Sequence, residues 1–90
     1  MAARITKVGP VVVIQDDAQE TVATFQVCYN QANLATCAIT VWEIDGYVKT
    51  TSLSGTNEDW PRFWTTFLGL LPSYLADEIA SRHEECDYRL

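Results

Sequence analysis

The stretch that decides the fold is Glu20–Ile44, ETVATFQVCYNQANLATCAITVWEI. In its first part every second residue from Ala23 onward is apolar, and the residues between them are mostly polar. A period of two residues is typical of a half-buried β-strand. The polar segment Asn30–Asn33 has the length of a hairpin loop. The stretch therefore predicts two antiparallel strands, Glu20–Tyr29 and Leu34–Ile44.

The second of these strands has apolar residues on both faces. One face carries Cys37, Ile39 and Val41, and the other carries Ala38, Trp42 and Ile44. Apolar residues on both faces predict a central position in the sheet. Asp45-Gly46 then predicts a tight hairpin turn, followed by a strand over Tyr47–Leu53 that ends in a turn at Ser54-Gly55.

Upstream of this hairpin, the segment Arg4–Ile14 is rich in β-branched residues, which favour strands. Gly9-Pro10 interrupts it, and a proline has no N–H to donate to a neighbouring strand. The interruption predicts an edge position, a bulge or a turn between two short strands. Asp16–Ala18 is predicted to form the turn into the next strand.

Downstream, the composition changes near residue 55 from Val, Ile and Thr to Leu, aromatic residues, Ala and Glu, which favour helices. A first helix is predicted over residues 60–71, with Pro61 suited to its first turn and Pro72 ending it. Its apolar stripe consists of Trp60, Phe63, Trp64, Phe67, Leu68 and Leu71. A second helix is predicted over residues 73–86. Its inward positions are Leu75, Ala76, Ile79 and His83, and a frayed tail follows from Cys86.

Together these elements predict an α+β fold. An antiparallel sheet of three to five strands over residues 4–53 is followed by two C-terminal helices, 60–71 and 73–86, packed on one face. The length fits one domain over residues 1–90.

The charge of the chain restricts the classes of partner. Six basic residues face twelve acidic ones, so the formal net charge is −6. Such a charge opposes direct binding to nucleic acid or to an anionic membrane. The apolar run Val11–Ile14 is too short for a signal peptide, and no run approaches the ~20 residues of a membrane span. We expect a cytoplasmic protein, located in the host cytoplasm if a phage encodes it.

The residues suited to catalysis or metal binding are few. Of the three cysteines, Cys28 and Cys37 can form a disulfide only if their strands are adjacent and in register; otherwise all three are reduced thiols. His83, the only histidine, lies three residues from Cys86, but neighbouring acids raise the pKa of a thiol and oppose its activation. The sequence has no glycine-rich phosphate loop and no nucleophile elbow. We expect no enzyme activity, no cofactor and no metal.

Acidic and aromatic residues of the last third are the candidates for binding a partner. The acids are Glu58, Asp59, Asp77, Glu78, Glu84, Glu85 and Asp87. If Asp77, Glu84 and Asp87 share the outer face of the second helix, they form a negative ridge; the alternative is an ordinary solvated face. Trp60 and Tyr74 are candidate aromatic anchors, with a place in the core as the alternative.

In length, charge and lack of enzyme motifs, the chain resembles the small acidic inhibitors that phages encode, such as anti-CRISPR proteins. The resemblance rests on size and composition. It implies a non-enzymatic inhibitor that binds a basic, nucleic-acid-handling protein. One alternative is an immunity protein or antitoxin that neutralises a toxin. Another is a structural homo-oligomer, such as a homodimer, that buries the aromatic helix stripe between protomers.

Overall fold

Five antiparallel strands form one sheet in the computed structural model, which describes residues 3–30, 32–42 and 48–87. The strands are β1 (Arg4–Val8), β2 (Val11–Gln15), β3 (Thr21–Tyr29), β4 (Leu34–Trp42) and β5 (Val48–Thr56). They lie side by side in chain order. Helices follow the sheet, so the predicted α+β arrangement is confirmed.

The interruption at Gly9-Pro10 is a turn between two short strands. Val8 pairs with Val11, which leaves these two residues as the loop of a hairpin. Gly9 has φ 57°, a left-handed conformation that glycine adopts at no steric cost. The predicted Asp45-Gly46 turn lies outside the described residues.

The last strand is longer than predicted, and the turn expected at Ser54-Gly55 is wrong. Gly55 pairs with Ala35 inside β5, which continues to Thr56. The glycine serves a close approach instead of a turn, because a Cβ at position 55 would collide with the carboxylate of Asp59 and the Arg62 guanidinium.

Strand β4 lies between β3 and β5, as its apolar residues predicted. Only one of its faces is covered, however. Cys37 and Ile39 are buried, whereas Ala38 is exposed and Trp42 is 40% exposed. The predicted central position of β4 is confirmed. The side of β4 that carries Ala38 and Trp42, however, points away from the core and is not covered.

Helix α1 (Trp60–Leu70) follows a 3-10 turn over Asn57–Asp59. It ends because Leu71 precedes Pro72, and the proline ring moves the preceding residue out of the helical region, here to ψ 148°. Helix α2 (Ser73–Ser81) then begins.

The second predicted helix is in fact broken. Arg82 has φ −115°, and a separate short helix α3 (His83–Cys86) follows it. The break changes which residues face the core. His83, predicted to face inward, is exposed, and Cys86, predicted to start a frayed tail, is fully buried.

The core lies between the helices and one face of the sheet. Phe25 of β3 stacks on Phe67 of α1 with ring centroids 4.8 Å apart, and it meets Trp60 edge to face. Trp60 and Trp64 stack on each other at 5.5 Å. The aromatic stripe of α1 is thus the main helix–sheet contact, as predicted, and burial of each such ring contributes about 2–3 kcal/mol.

Candidate partner-binding surfaces

Two of the predicted partner-binding acids, the partly buried Glu78 and the exposed Glu85, form ion pairs with Arg82. The Arg82 guanidinium donates to Glu85 over 2.6 and 3.0 Å and to Glu78 over 2.8 Å. It also donates to the backbone carbonyl of Ala3 at 2.6 Å, while the Ala3 N–H donates to Glu78 at 2.8 Å. We call these residues the Arg82 cluster. Its hydrogen bonds connect Ala3, near the start of the chain, to Glu78 of α2 and to Arg82.

The electrostatics of the Arg82 cluster agree with its geometry. Hydrogen bonds from Arg82 lower the pKa of Glu85 below its usual value, and the same bonds raise the pKa of Arg82. Glu85 stays ionised and Arg82 stays charged at neutral pH. These charges already have partners, so Glu78 and Glu85 are poor candidates for contact with another protein.

Asp59 also has an internal role, at the junction between β5 and α1. Its carboxylate accepts the Thr56 N–H at 2.8 Å and lies 3.5 Å from the Arg62 Nε. The Thr56 backbone hydrogen bond, with a smaller effect of Arg62, holds the Asp59 pKa below its usual value. Arg62 in turn donates to the Ser54 carbonyl at 2.7 Å. The pair therefore fixes the end of the edge strand against the first turn of α1.

Three of the seven acids remain available to a partner. Glu58, Asp77 and Glu84 are exposed, and none of them forms an ion pair with any residue that the structure describes. Asp87 is partly buried, and its backbone carbonyl accepts a hydrogen bond from Lys7 at 3.4 Å. The continuous ridge on one long helix is not present, because the chain breaks at Arg82 between Asp77 and Glu84.

The two predicted aromatic anchors have different positions. Tyr74 is 50% exposed on α2, one turn before Asp77. Residues three apart on a helix share a face, so this ring and this carboxylate form one exposed pair. Trp60 was expected as a partner contact, but it is only 3% exposed and lies in the aromatic core. The two-layer packing explains the difference, since the stripe of α1 that carries Trp60 faces the sheet.

Two of the three cysteines, Cys37 and Cys86, are buried, whereas His83 is exposed. Burial raises the pKa of Cys86 to about 11, with Glu85 adding to the rise, and burial raises that of Cys37 to about 11. Both thiols are therefore protonated at neutral pH. Cys37 pairs with Val27 on the covered face, and Cys28 pairs with Thr36 on the opposite face. Both are free thiols, because strands in this register cannot bring them together.

The described residues contain no cluster of three or more histidine, cysteine or carboxylate side chains that could hold a metal ion. No helix in the described part of the chain is long and apolar enough to span a membrane.

Sequence reasoning missed a second surface, which is the side of the sheet away from the helices. We call it the open sheet face. It consists of the strand residues that alternate with the core positions, and none of them is buried. One row crosses all five strands through Thr6, Val13, Thr24, Thr40 and Thr50.

The open sheet face combines exposed apolar groups with an absence of acid. Five large apolar side chains are exposed among the described residues, and four of them lie on this face: Val8, Leu34, Trp42 and Val48. None of the five strands, within the bounds that the structure describes, contains Asp or Glu. The sequence signal was available, since hydroxyl and apolar residues alternate with the core positions of β4 and β5. The sequence does not show on which side of the sheet the helices pack.

A shallow depression lies at one end of the sheet, with a volume of about 580 Å³. Its lining includes Cys28, Leu34, Thr36 and Ser54, all of which belong to the open sheet face. The Cys28 sulfur accepts a hydrogen bond from the Gln26 amide at 3.2 Å. The lining carries no charged side chain, so the depression is suited to an apolar or weakly polar group.

Comparison with protein-family models, with curated proteins and with solved structures finds no match to this chain.

Proposed function

We propose that this chain is a non-enzymatic inhibitor that binds a protein with a basic surface, of the kind that handles nucleic acid. The observation that carries the proposal is the exposed pair of Tyr74 and Asp77 on α2, with Glu84 and Glu58 as further unpaired acids in the same third of the chain. An aromatic ring beside one carboxylate, with further acids that pair with no described residue, is suited to a Lys- and Arg-rich groove, because the ring supplies contact area and the acids replace phosphate.

The distribution of charge supports this choice of surface. Residues 57–90 hold seven acids and three basic residues, a net charge of −4, whereas residues 1–56 hold five acids and three basic residues, a net charge of −2. Within residues 57–90, Arg82 pairs with Glu78 and Glu85, and Arg62 pairs with Asp59. Part of the negative charge of this segment is therefore neutralised inside the molecule. The remaining acids act on a partner by steering the encounter, which weakens as salt increases.

The resemblance to anti-CRISPR proteins in size and charge supports an RNA-guided nuclease as the class of target. Such enzymes hold nucleic acid in positively charged channels. An inhibitor of this kind acts by occupying the channel in a fixed ratio to its target. The buried, protonated Cys37 and Cys86 thiols and the exposed His83 are in keeping with a role that needs no reacting group.

The test is a DNA-cleavage assay with a panel of purified RNA-guided nucleases, titrated with the chain. We expect one member of the panel to be inhibited at a fixed molar ratio, with less inhibition at high salt. The double variant Asp77→Lys/Glu84→Lys should lose inhibition, because it reverses the exposed charge one turn from Tyr74 on α2 and the exposed charge on α3.

A matched control keeps the total change of charge the same. Asp17 and Glu20 are exposed acids at the turn between β2 and β3, and Asp17→Lys/Glu20→Lys should inhibit as well as the wild type. Equal loss from both double variants would show that only net charge matters. Full inhibition by Asp77→Lys/Glu84→Lys would refute the surface, and inhibition that continues far below a fixed ratio would indicate catalysis.

A further inference from the structure

We propose that two copies of this chain associate through their open sheet faces. The proposal goes beyond the inhibitor function, which uses the helical side of the molecule. The occupant of the open sheet face is a second copy of the same face, related by a twofold axis, so each residue on one copy meets the same set of residues on the other.

The apolar content of the face favours coverage by protein. Trp42 pairs directly with Val48 across β4 and β5, and both side chains are at least 40% exposed. At the opposite edge Val8 pairs with Val11. Leu34 lies at the end of β4 opposite Trp42, so the exposed apolar residues are distributed over the face, with Trp42 and Val48 as its one adjacent pair. Apolar groups exposed on a face that no other layer covers favour association with a second surface.

Charge identifies the occupant as a second copy. Among the described strand residues, the face holds no Asp or Glu, and its one charged residue is Arg4. A strongly acidic or basic partner would find almost nothing to pair with there. Two copies with a net charge of −6 each can meet on this face without bringing acids together. Contact between the helical sides would instead oppose Asp77 and Glu84 to their own like charges.

The area is sufficient for a weak, specific dimer. Strands spaced about 4.8 Å apart with a rise of about 3.4 Å per residue give a footprint of about 600 Å² for three nine-residue and two five-residue strands. Two copies would bury about 1,200 Å² in total, the lower limit of specific interfaces. We therefore expect a dimer that dissociates on dilution.

The proposed twofold axis passes through the middle of β4. Ala38 is the middle residue of β4, Trp42 is its last residue, and the depression beside Leu34 lies at its other end. A twofold axis that crosses the strands at Ala38 reverses β4 on the second copy. Each Trp42 then lies over the depression of its partner, with the two sheets about 10 Å apart.

The test is sedimentation velocity over protein concentrations from about 1 µM to about 1 mM, the range in which a small interface dissociates. We expect a monomer–dimer equilibrium that tightens as salt is added, because salt screens the repulsion between two acidic copies. A monomer at every concentration, or a dimer that salt weakens, would overturn the proposal.

Variants at the axis separate association from folding. Ala38→Glu and Ala38→Lys each place like charges together and should weaken the dimer at least about tenfold, whereas a mixture of the two should restore it. Restoration cannot come from a misfolded chain. The matched control is Thr65→Glu on the exposed side of α1, which should dimerise as the wild type does. Dimers of Ala38→Glu as strong as the wild type, or no restoration in the mixture, would contradict the proposal.

The two exposed aromatic residues distinguish this face from the helical side. Trp42→Ser should weaken the dimer and leave nuclease inhibition unchanged. Tyr74→Ser should weaken nuclease inhibition and leave the dimer unchanged. If Tyr74→Ser abolishes the dimer, the second copy occupies the helical side and the proposal is wrong. Because each variant is measured in both assays, failure of one proposal does not hide the outcome of the other.

Discussion

Adjacent acids on α2 should differ sharply in their effect on stability. The Glu78 carboxylate accepts hydrogen bonds from the Ala3 N–H and from Arg82, both at 2.8 Å, whereas Asp77 is exposed and makes no described ion pair. A hydrogen bond to a charged group contributes about 1.5–3 kcal/mol when it is shielded from water. The side chains of Arg82 and Glu78 are 28% and 24% exposed, so solvent reduces that value.

Glu78→Gln keeps one acceptor oxygen and removes the charge, so we expect it to lower the free energy of unfolding by about 1–2 kcal/mol. Asp77→Asn should change it by less than about 0.5 kcal/mol. Urea unfolding followed by tryptophan fluorescence measures both, and the slope with denaturant should stay the same for the two variants. The midpoint of thermal unfolding should fall by about 4–8 °C per kcal/mol. Equal effects of the two variants would refute the division into internal and available acids.

Three further predictions concern the thiols and the core. With Ellman's reagent the native chain should expose Cys28 to rapid modification, while Cys37 and Cys86 should react only on unfolding; rapid reaction of all three would contradict their burial. The pKa of each buried thiol is raised from 9.0 to about 11 in the folded chain. The thiols therefore lose their protons at a lower pH in the unfolded chain than in the folded chain. The free energy of unfolding should therefore fall as pH rises from about 9 to about 11, and Cys86→Ala should flatten that profile. Phe67→Ala should cost about 3–5 kcal/mol, because the fully buried ring stacks on Phe25; a loss under about 1 kcal/mol would contradict the core.

Local patterns were sufficient to predict the elements of this fold. The alternation around Phe25 predicts β3 because side chains of a strand point to opposite faces in turn. The three- and four-residue spacing from Trp60 to Leu71 predicts the covered stripe of α1. The same spacing assigned Trp60 to the core, and its separate selection as a surface anchor conflicted with that pattern.

Contacts between distant parts of the chain could not be predicted in this way. The Arg82 cluster joins Ala3 to Glu78, which are 75 residues apart. Nothing in the sequence around Glu78 distinguishes it from its exposed neighbour Asp77. The break at Arg82 was not predicted either, and its guanidinium contacts Ala3, just before the first strand, as well as both acids.

The open sheet face was missed for a related reason. Alternation shows that a strand has two different faces, but it does not show whether a second layer covers each of them. The apolar residues on both faces of β4 suggested that both are covered, whereas all three helices follow the sheet in the chain and Trp42 remains exposed.

The central claim is that unpaired acids on the helical side bind a basic partner. The most direct measurement is the dissociation constant of the inhibited nuclease complex as a function of salt, for the wild type, Asp77→Lys/Glu84→Lys and Asp17→Lys/Glu20→Lys. We predict that the wild type and the second double variant weaken in parallel as salt rises, and that the first double variant binds weakly with a smaller dependence on salt. Identical affinities and salt dependences for all three proteins would contradict the claim.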